Sequence, residues 1–188
     1  MKFLKLGLAS LVASSALFAG TYNVDASHSN VGFKVKHLMI SNVSGKFDKF
    51  SGKFEYDEKT KTLKGLAGEV SVASINTEDA KRDAHLKSAD FFDEVNNPTL
   101  TYKLDKVEGN TAYGKLTIRG VTKDVKLDLE NNGTAIDPWG NTRVALALTG
   151  KINRTDFGLN WNKALEAGGV LVDETVKLDI EIEGILAK

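Results

Sequence analysis

Cysteine does not occur anywhere in the 188 residues. Its absence excludes disulfides, thiolate nucleophiles and cysteine-ligated metal. Histidine is scarce as well: His28, His37 and His85 lie on separate segments, without the His-x-His or His-x-x-x-His spacing that holds zinc. No Gly-x-Ser-x-Gly elbow exposes a serine nucleophile, and Ser27-His28-Ser29 reads as a hydrogen-bonded turn. The chain is therefore expected to be a non-enzyme without metal or cofactor, and no catalytic residue is assigned. Neither sign of charge is in excess, since 25 Lys and Arg face 25 Asp and Glu; the basic footprint of a nucleic-acid-binding protein is missing. Only one hydrophobic run is long, Leu6 to Phe18, and it falls short of the roughly 20 residues that span a bilayer. Preceded by Lys2 and Lys5, it has the form of a signal-peptide core, with cleavage expected after Ala19. The expected organisation is a signal peptide over residues 1–19 and a single domain over 20–188. Subtracting Lys2 and Lys5 leaves 23 basic side chains against 25 acidic ones, a formal charge near −2. An exported chain without disulfides rests on burial and hydrogen-bonded sheet alone, and a bacterial periplasm suits it best.

The strand-helix-strand rhythm of a parallel sheet is also missing. Alternation takes its place. Val31, Phe33 and Val35 alternate with Gly32, Lys34 and Lys36, and Phe47, Phe54 and Tyr56 mark a second long strand with Gly45 and Gly52 at its bends. Asp57 to Thr62 reads as a hairpin connection into a strand with Val70 and Val72 facing inward. Pro98 opens a strand carrying Leu100, Tyr102 and Leu104, and turns are expected at Glu108-Gly109-Asn110, at Gly120 and at Asn131-Asn132-Gly133. Val144, Leu146 and Leu148 share one face of a strand whose other face holds Ala145 and Ala147. The last strand sets Val176, Leu178, Ile180 and Ile182 against Lys177, Asp179, Glu181 and Glu183. Eight or nine short-spaced strands fit a sandwich or a barrel. The all-β, antiparallel eight-stranded barrel is the expected architecture, because its interior is just wide enough for side chains or one small ligand.

One segment departs from the alternation. Asn76 to Asp93 predicts a helix over about residues 77–89, with Asn76 or Thr77 as N-cap and Glu78 and Asp79 in the first turn. In an all-β protein this helical insert is expected to cover a barrel mouth. Two polar clusters accompany it. Arg82, Asp83 and His85 crowd one helical turn, and Asn153-Arg154-Thr155-Asp156-Phe157-Gly158 follows a strongly apolar strand. A buried arginine must find a carboxylate or a ligand headgroup, so Arg154 either pairs with Asp156 or Asp83 at the rim or meets that headgroup directly. The aromatics Phe33, Phe47, Phe54, Phe91, Phe92 and Trp161, with Val144 and Leu146, are the candidate apolar lining. His28, Arg82, Asp83, His85, Arg154 and Asp156 are the candidate polar contacts. The expected ligand is a long hydrophobic molecule. The alternatives are an enzyme acting on such a lipid, with His28, Asp83 or His85 as acid or base, and a filled barrel serving as a stress-related structural protein.

The motifs in their order carry a family resemblance. They are Tyr22-x-x-Asp25-x-x-His28-Ser29, Val31-x-Phe33-x-Val35-x-His37, Gly45-x-Phe47, Ile75-x-Thr77, Arg82-Asp83-x-His85-Leu86-x-Ser88-x-Asp90-Phe91-Phe92, Gly114-x-Leu116-x-Ile118-x-Gly120-Val121-Thr122 and Asn153 to Gly158. Together they resemble the YceI-like, polyisoprenoid-binding family of secreted bacterial proteins across essentially the whole mature chain. The resemblance implies a lipocalin-like barrel enclosing an isoprenoid or fatty-acyl lipid, a periplasmic location, no catalytic residues, and homodimers in some members. Such a carrier would also touch membranes transiently.

Overall fold

The computed structural model describes residues 19–166 and 168–188. The expected signal peptide falls, but for Ala19, on residues outside that range. The strands in chain order are β1 (Gly20–Val24), β2 (Asn30–His37), β3 (Ser41–Phe47), β4 (Phe50–Asp57), β5 (Thr62–Ser71) and β6 (Ile75–Asn76). Helix α1 (Ala80–Lys87) follows, and then β7 (Thr99–Glu108), β8 (Thr111–Ile118), β9 (Val121–Ile136), β10 (Thr142–Asn153) and β11 (Val172–Leu186).

Every pairing is antiparallel, as short hairpin connections require. The first three strand positions are each broken in two. A 3-10 turn at Ala26–His28 separates β1 from β2, Asp48 and Lys49 step from β3 to β4, and a second 3-10 turn at Val72–Ser74 separates β5 from β6. Consequently β1 pairs with β4 while β2 pairs with β3, and β4 pairs with β5 while β3 pairs with β6. From β5 the ladder runs through β7, β8, β9 and β10 to β11. The last strand closes the ring on both halves of the first, aligning Leu178 with Phe33 on β2 and Ile185 with Asn23 on β1. The result is a closed antiparallel barrel of eight strand positions with one helical insert, as the alternation predicts.

Two local expectations are corrected. Asn131-Asn132-Gly133 is no turn, because β9 runs through it to Ile136. There β10 pairs Ala145 with Gly133 and Leu146 with Asn131, so Asn132 is extruded as a bulge and Gly133 adopts φ +102°. The turn comes at Asp137–Asn141, where the Asp137 carboxylate accepts the N–H groups of Trp139 (3.0 Å) and Asn141 (2.9 Å). An Asn-Gly pair serves a bulge and a turn equally well, which makes the two indistinguishable locally. The second correction concerns the helix, which is shorter than expected. Its N-cap is Asp79, whose side chain accepts the N–H groups of Lys81 and Arg82. Asn76 belongs to β6, and Thr77 is turned inward toward Asp83.

The interior divides into two clusters. At one end Tyr22 stacks on Phe54 (5.2 Å between ring centres) and meets Tyr56 edge-on (6.3 Å). Leu104, Val144 and Leu146 complete this solid plug. Gly184 is needed there because a Cβ would strike the Phe54 ring. On the outer wall at the same end, Arg143 joins Asp25 (2.9 Å), Asp137 (2.8 Å) and Glu183 (2.6 Å), tying the end of β1 to the β9–β10 turn and to β11. At the other end Phe47, Val72, Phe91, Leu100, Ile118 and Phe157 pack around the helical insert.

Candidate functional site

Between the plug and the helix the barrel is hollow. The cavity measures about 520 Å³, inside the usual range for small-molecule sites, ~300–1,000 Å³. Period-two alternation creates its wall: Val31, Phe33 and Val35 of β2 face Val176, Leu178 and Ile180 of β11 across the shared ladder. Leu66, Tyr102, Leu127 and Leu148 form the floor against the plug, and Leu100, Leu116, Ile118 and Ile152 line the sides. The lining is almost wholly hydrocarbon.

The cover is built from α1 and the residues that follow it. Eight residues are too few for a helix to stand alone, so its anchorage decides its position. Thr77, 5% exposed, is the anchor. Asp83 accepts from the Thr77 N–H (2.9 Å) and from its hydroxyl (2.6 Å), while Arg82 donates Nε to the same hydroxyl oxygen (2.8 Å) and Nη2 to the Thr77 carbonyl (2.8 Å). Turns after the helix then swing Phe91 and Phe92 inward, with the Phe92 N–H donating to Leu86 O (3.0 Å). Phe92 meets Phe47 edge-on at 6.1 Å, and Phe47 meets Phe33 at 5.8 Å. His85 stands edge-on to Trp161 (4.7 Å) and Phe91 (5.1 Å), its Nε2 3.0 Å from the Asp90 carboxylate. Lys36, His37, Lys81, Arg82 and His85 supply cationic or titratable groups to the cavity's rim.

Arg154 resolves the choice left open by its position in the chain. Its guanidinium is buried, 4% exposed, and reaches neither Asp156 nor Asp83. It donates instead to backbone carbonyls, Nε to Asp173 (2.9 Å), Nη1 to Trp161 (3.0 Å) and Leu159, and Nη2 to Val172 (3.2 Å). Four of its N–H groups are thereby used, and burial holds its pKa below the ordinary value, against the opposing fields of Glu174 and Asp173. Arg154 thus fastens the segment before β11 to the end of β10 and forms part of the cavity wall.

Of the residues singled out from sequence, Phe33, Phe47, Phe91, Phe92, Trp161, Arg82, His85 and Arg154 come together around this one space. Phe54, Val144 and Leu146 do not reach it, because they build the plug. Asp83 sits behind Thr77, His28 is a surface partner of Asp25 (2.8 Å), and Asp156 is exposed. His28, Asp83 and His85, the acids and bases of an enzymatic reading, do not converge. Asp25, His28 and Glu183 form the one metal-like cluster among the described residues, and Arg143 already occupies both carboxylates. Tyr102, Lys36 and His37 were missed as lining residues. The inward phase of Leu100, Tyr102 and Leu104 was the signal for Tyr102, whereas nothing local distinguishes the other two.

Known proteins share this architecture. The YceI-like domain family model matches residues 22–184. The UPF0312 protein of Staphylococcus aureus strain N315 is 40% identical over 164 residues, covering 86% of this chain and 95% of the relative. The crystal structure of the Campylobacter jejuni YceI protein superposes with a TM-score of 0.72 at 35% identity, over 87% of this chain and 96% of that one. A polyisoprenoid binding domain from Saccharophagus degradans shares the fold at a TM-score of 0.66 and 16% identity, covering 90% of this chain and 99% of its own.

Proposed function

This chain belongs to the YceI-like family, and we propose that its barrel binds and carries a long-chain isoprenoid or fatty-acyl lipid. The hydrocarbon chain occupies the cavity and the polar head lies at the rim under α1. The observation that carries the reading is a cavity of about 520 Å³, plugged at one end and covered at the other by a helix bearing Lys81, Arg82 and His85. The name of the Saccharophagus domain points to the same ligand class.

Each buried methylene contributes roughly 0.8 kcal/mol, about fourfold in affinity at roughly 1.4 kcal/mol per decade. Affinity for a series of acyl chains should therefore climb about fourfold per added carbon and level off once the cavity is full. Specificity then resides in cavity length and rim donors. The proposal includes export by the residue 1–19 signal peptide to the periplasm, as a single barrel domain without a resident cofactor.

Native mass spectrometry of protein taken from its own cell envelope, before and after organic extraction, tests the reading. A mass excess that disappears on extraction and identifies as a long-chain lipid is the expected result. Protein that never carries lipid, and shows no chain-length dependence with added acyl ligands, overturns it. The same spectra test export, because the polypeptide mass should begin at Gly20.

A further inference from the structure

The turn between β2 and β3 places three exposed apolar side chains in succession, whereas Val95, Val121, Ile136 and Trp139 are exposed singly along the chain. Its residues, Leu38, Met39 and Ile40, are 37, 48 and 84% exposed. The Ile40 N–H closes the turn on His37 O (3.1 Å), and both central residues are left-handed, Leu38 at φ +50° and Met39 at +63°. Such a turn favours Asn-Gly. Here two bulky apolar side chains occupy it, at a cost in strain and in exposed hydrocarbon at once.

The turn is also a lip of the cavity. Lys36, His37 and Val43, just behind it, line the hollow. Its Leu38 N–H donates to Leu171 O (2.9 Å), and Leu171, Val172 and Trp161 line the hollow from the neighbouring segment. On the far side, β6 pairs only with Lys46 and Phe47 of β3. The outer edge of β3 from Ser41 to Gly45 therefore has no strand partner among the described residues. Gly45 abuts Thr77, the anchor of α1, so this unpaired edge runs out beside the covering helix. The wall is weakest between β3 and α1.

Charge selects the occupant. Lys36 and Lys81 flank the opening, and among the described residues neither forms a salt bridge; the one rim carboxylate beside them, Asp79, is taken up by the N–H groups of Lys81 and Arg82 and by the Arg82 guanidinium. An apolar tip among unpaired lysines is the pattern of a segment that lies in the interface of an anionic bilayer. Resting on the lipid-binding reading, we propose that Leu38-Met39-Ile40 seats in an anionic membrane surface, so that lipid passes laterally between β3 and α1.

The test compares wild-type protein with the triple variant Leu38→Asn, Met39→Gly, Ile40→Thr in flotation with vesicles of equal phosphatidylglycerol and phosphatidylethanolamine. Asn-Gly suits the left-handed turn, so the variant should melt no lower than wild type. The vesicle-bound fraction should fall about tenfold or more, as expected when three apolar side chains leave a bilayer interface. Loading of a detergent-dispersed lipid, read by native mass spectrometry, should be unchanged. Lys36→Gln with Lys81→Gln should weaken flotation with these vesicles and leave the weaker flotation with pure phosphatidylcholine unaltered. Equal flotation of the triple variant and wild type, or no flotation of wild type, overturns the proposal. So does a wild-type dimer that the triple variant dissociates, since the tip would then be a self-interface. Failure of detergent loading in wild type would instead defeat the lipid-binding reading, independently of flotation.

Discussion

Arg154 and Tyr102 line the same cavity and handle their polar atoms in opposite ways. Four of the five guanidinium N–H groups are engaged by carbonyls of Asp173, Leu159, Trp161 and Val172. Replacing it by leucine strands those acceptors, so Arg154→Leu should cost roughly 3–5 kcal/mol in urea denaturation. Arg154→Lys should recover little, because an ammonium cannot fork toward four carbonyls. A loss below about 1 kcal/mol, the size of a single ordinary hydrogen bond, would show that the carbonyls find water. The Tyr102 hydroxyl, by contrast, is buried with no hydrogen-bond partner among the described residues, and burial, helped by the Asp105 charge, pushes its pKa up to about 12. Tyr102→Phe removes an unsatisfied group. It should leave the lipid-free protein as stable or about 1 kcal/mol more stable. A clear drop in melting temperature would mean that the hydroxyl has a partner after all.

At the scale of an element, α1 is a cover whose position depends on one buried side chain. Thr77 satisfies Asp83 and Arg82 together, and Arg119 reinforces the exit by donating to Ala89 O (2.9 Å) and Gly158 O (3.0 Å). Thr77→Val keeps the shape and removes the hydroxyl. Amide exchange should then accelerate across residues 80–87 while β10 and β11 keep their protection, and bound lipid should exchange faster. Uniform acceleration throughout the barrel would contradict an independently hinged cover. The position of the helix was legible from its first-turn acids and from the break in strand alternation. Its true N-cap was not, because Asn76, Thr77 and Asp79 are all competent caps, and only the pairing of β6 with β3 removes the first from contention.

For the whole molecule, acid stability rests in part on the Arg143 cluster. Hydrogen bonds from Ser27, then Arg143 and His28, hold the Asp25 carboxyl well below the usual range. Asn141 foremost, with Arg143, does the same for Asp137. Folded pKa values below unfolded ones contribute stability that is present above about pH 4 and disappears as the pH falls further. Melting temperature should therefore be level near neutrality and decline below about pH 4, with a shallower decline in Arg143→Met. Parallel acid limbs in the two proteins would remove the cluster from the explanation.

Alternation determined most of the strands, most of their inward faces and the all-β class, because period-two burial is a local property of extended chain; the run of β9 through Asn131-Asn132-Gly133 and the place of Lys36 at the cavity lay beyond it. The motifs from Arg82 to Phe92 and from Asn153 to Gly158 marked where helix and barrel meet. Only the tertiary structure decided that the inward residues divide into a plug and a hollow. Phe54, Val144 and Leu146 look no different in sequence from Phe47, Leu148 and Ile152, and the partners across the ring settle which of them face space. Closure of the last strand on both halves of the first, and the choice of carbonyls over carboxylates by Arg154, depend on residues far apart in the chain. Their geometry exists only once the barrel is closed.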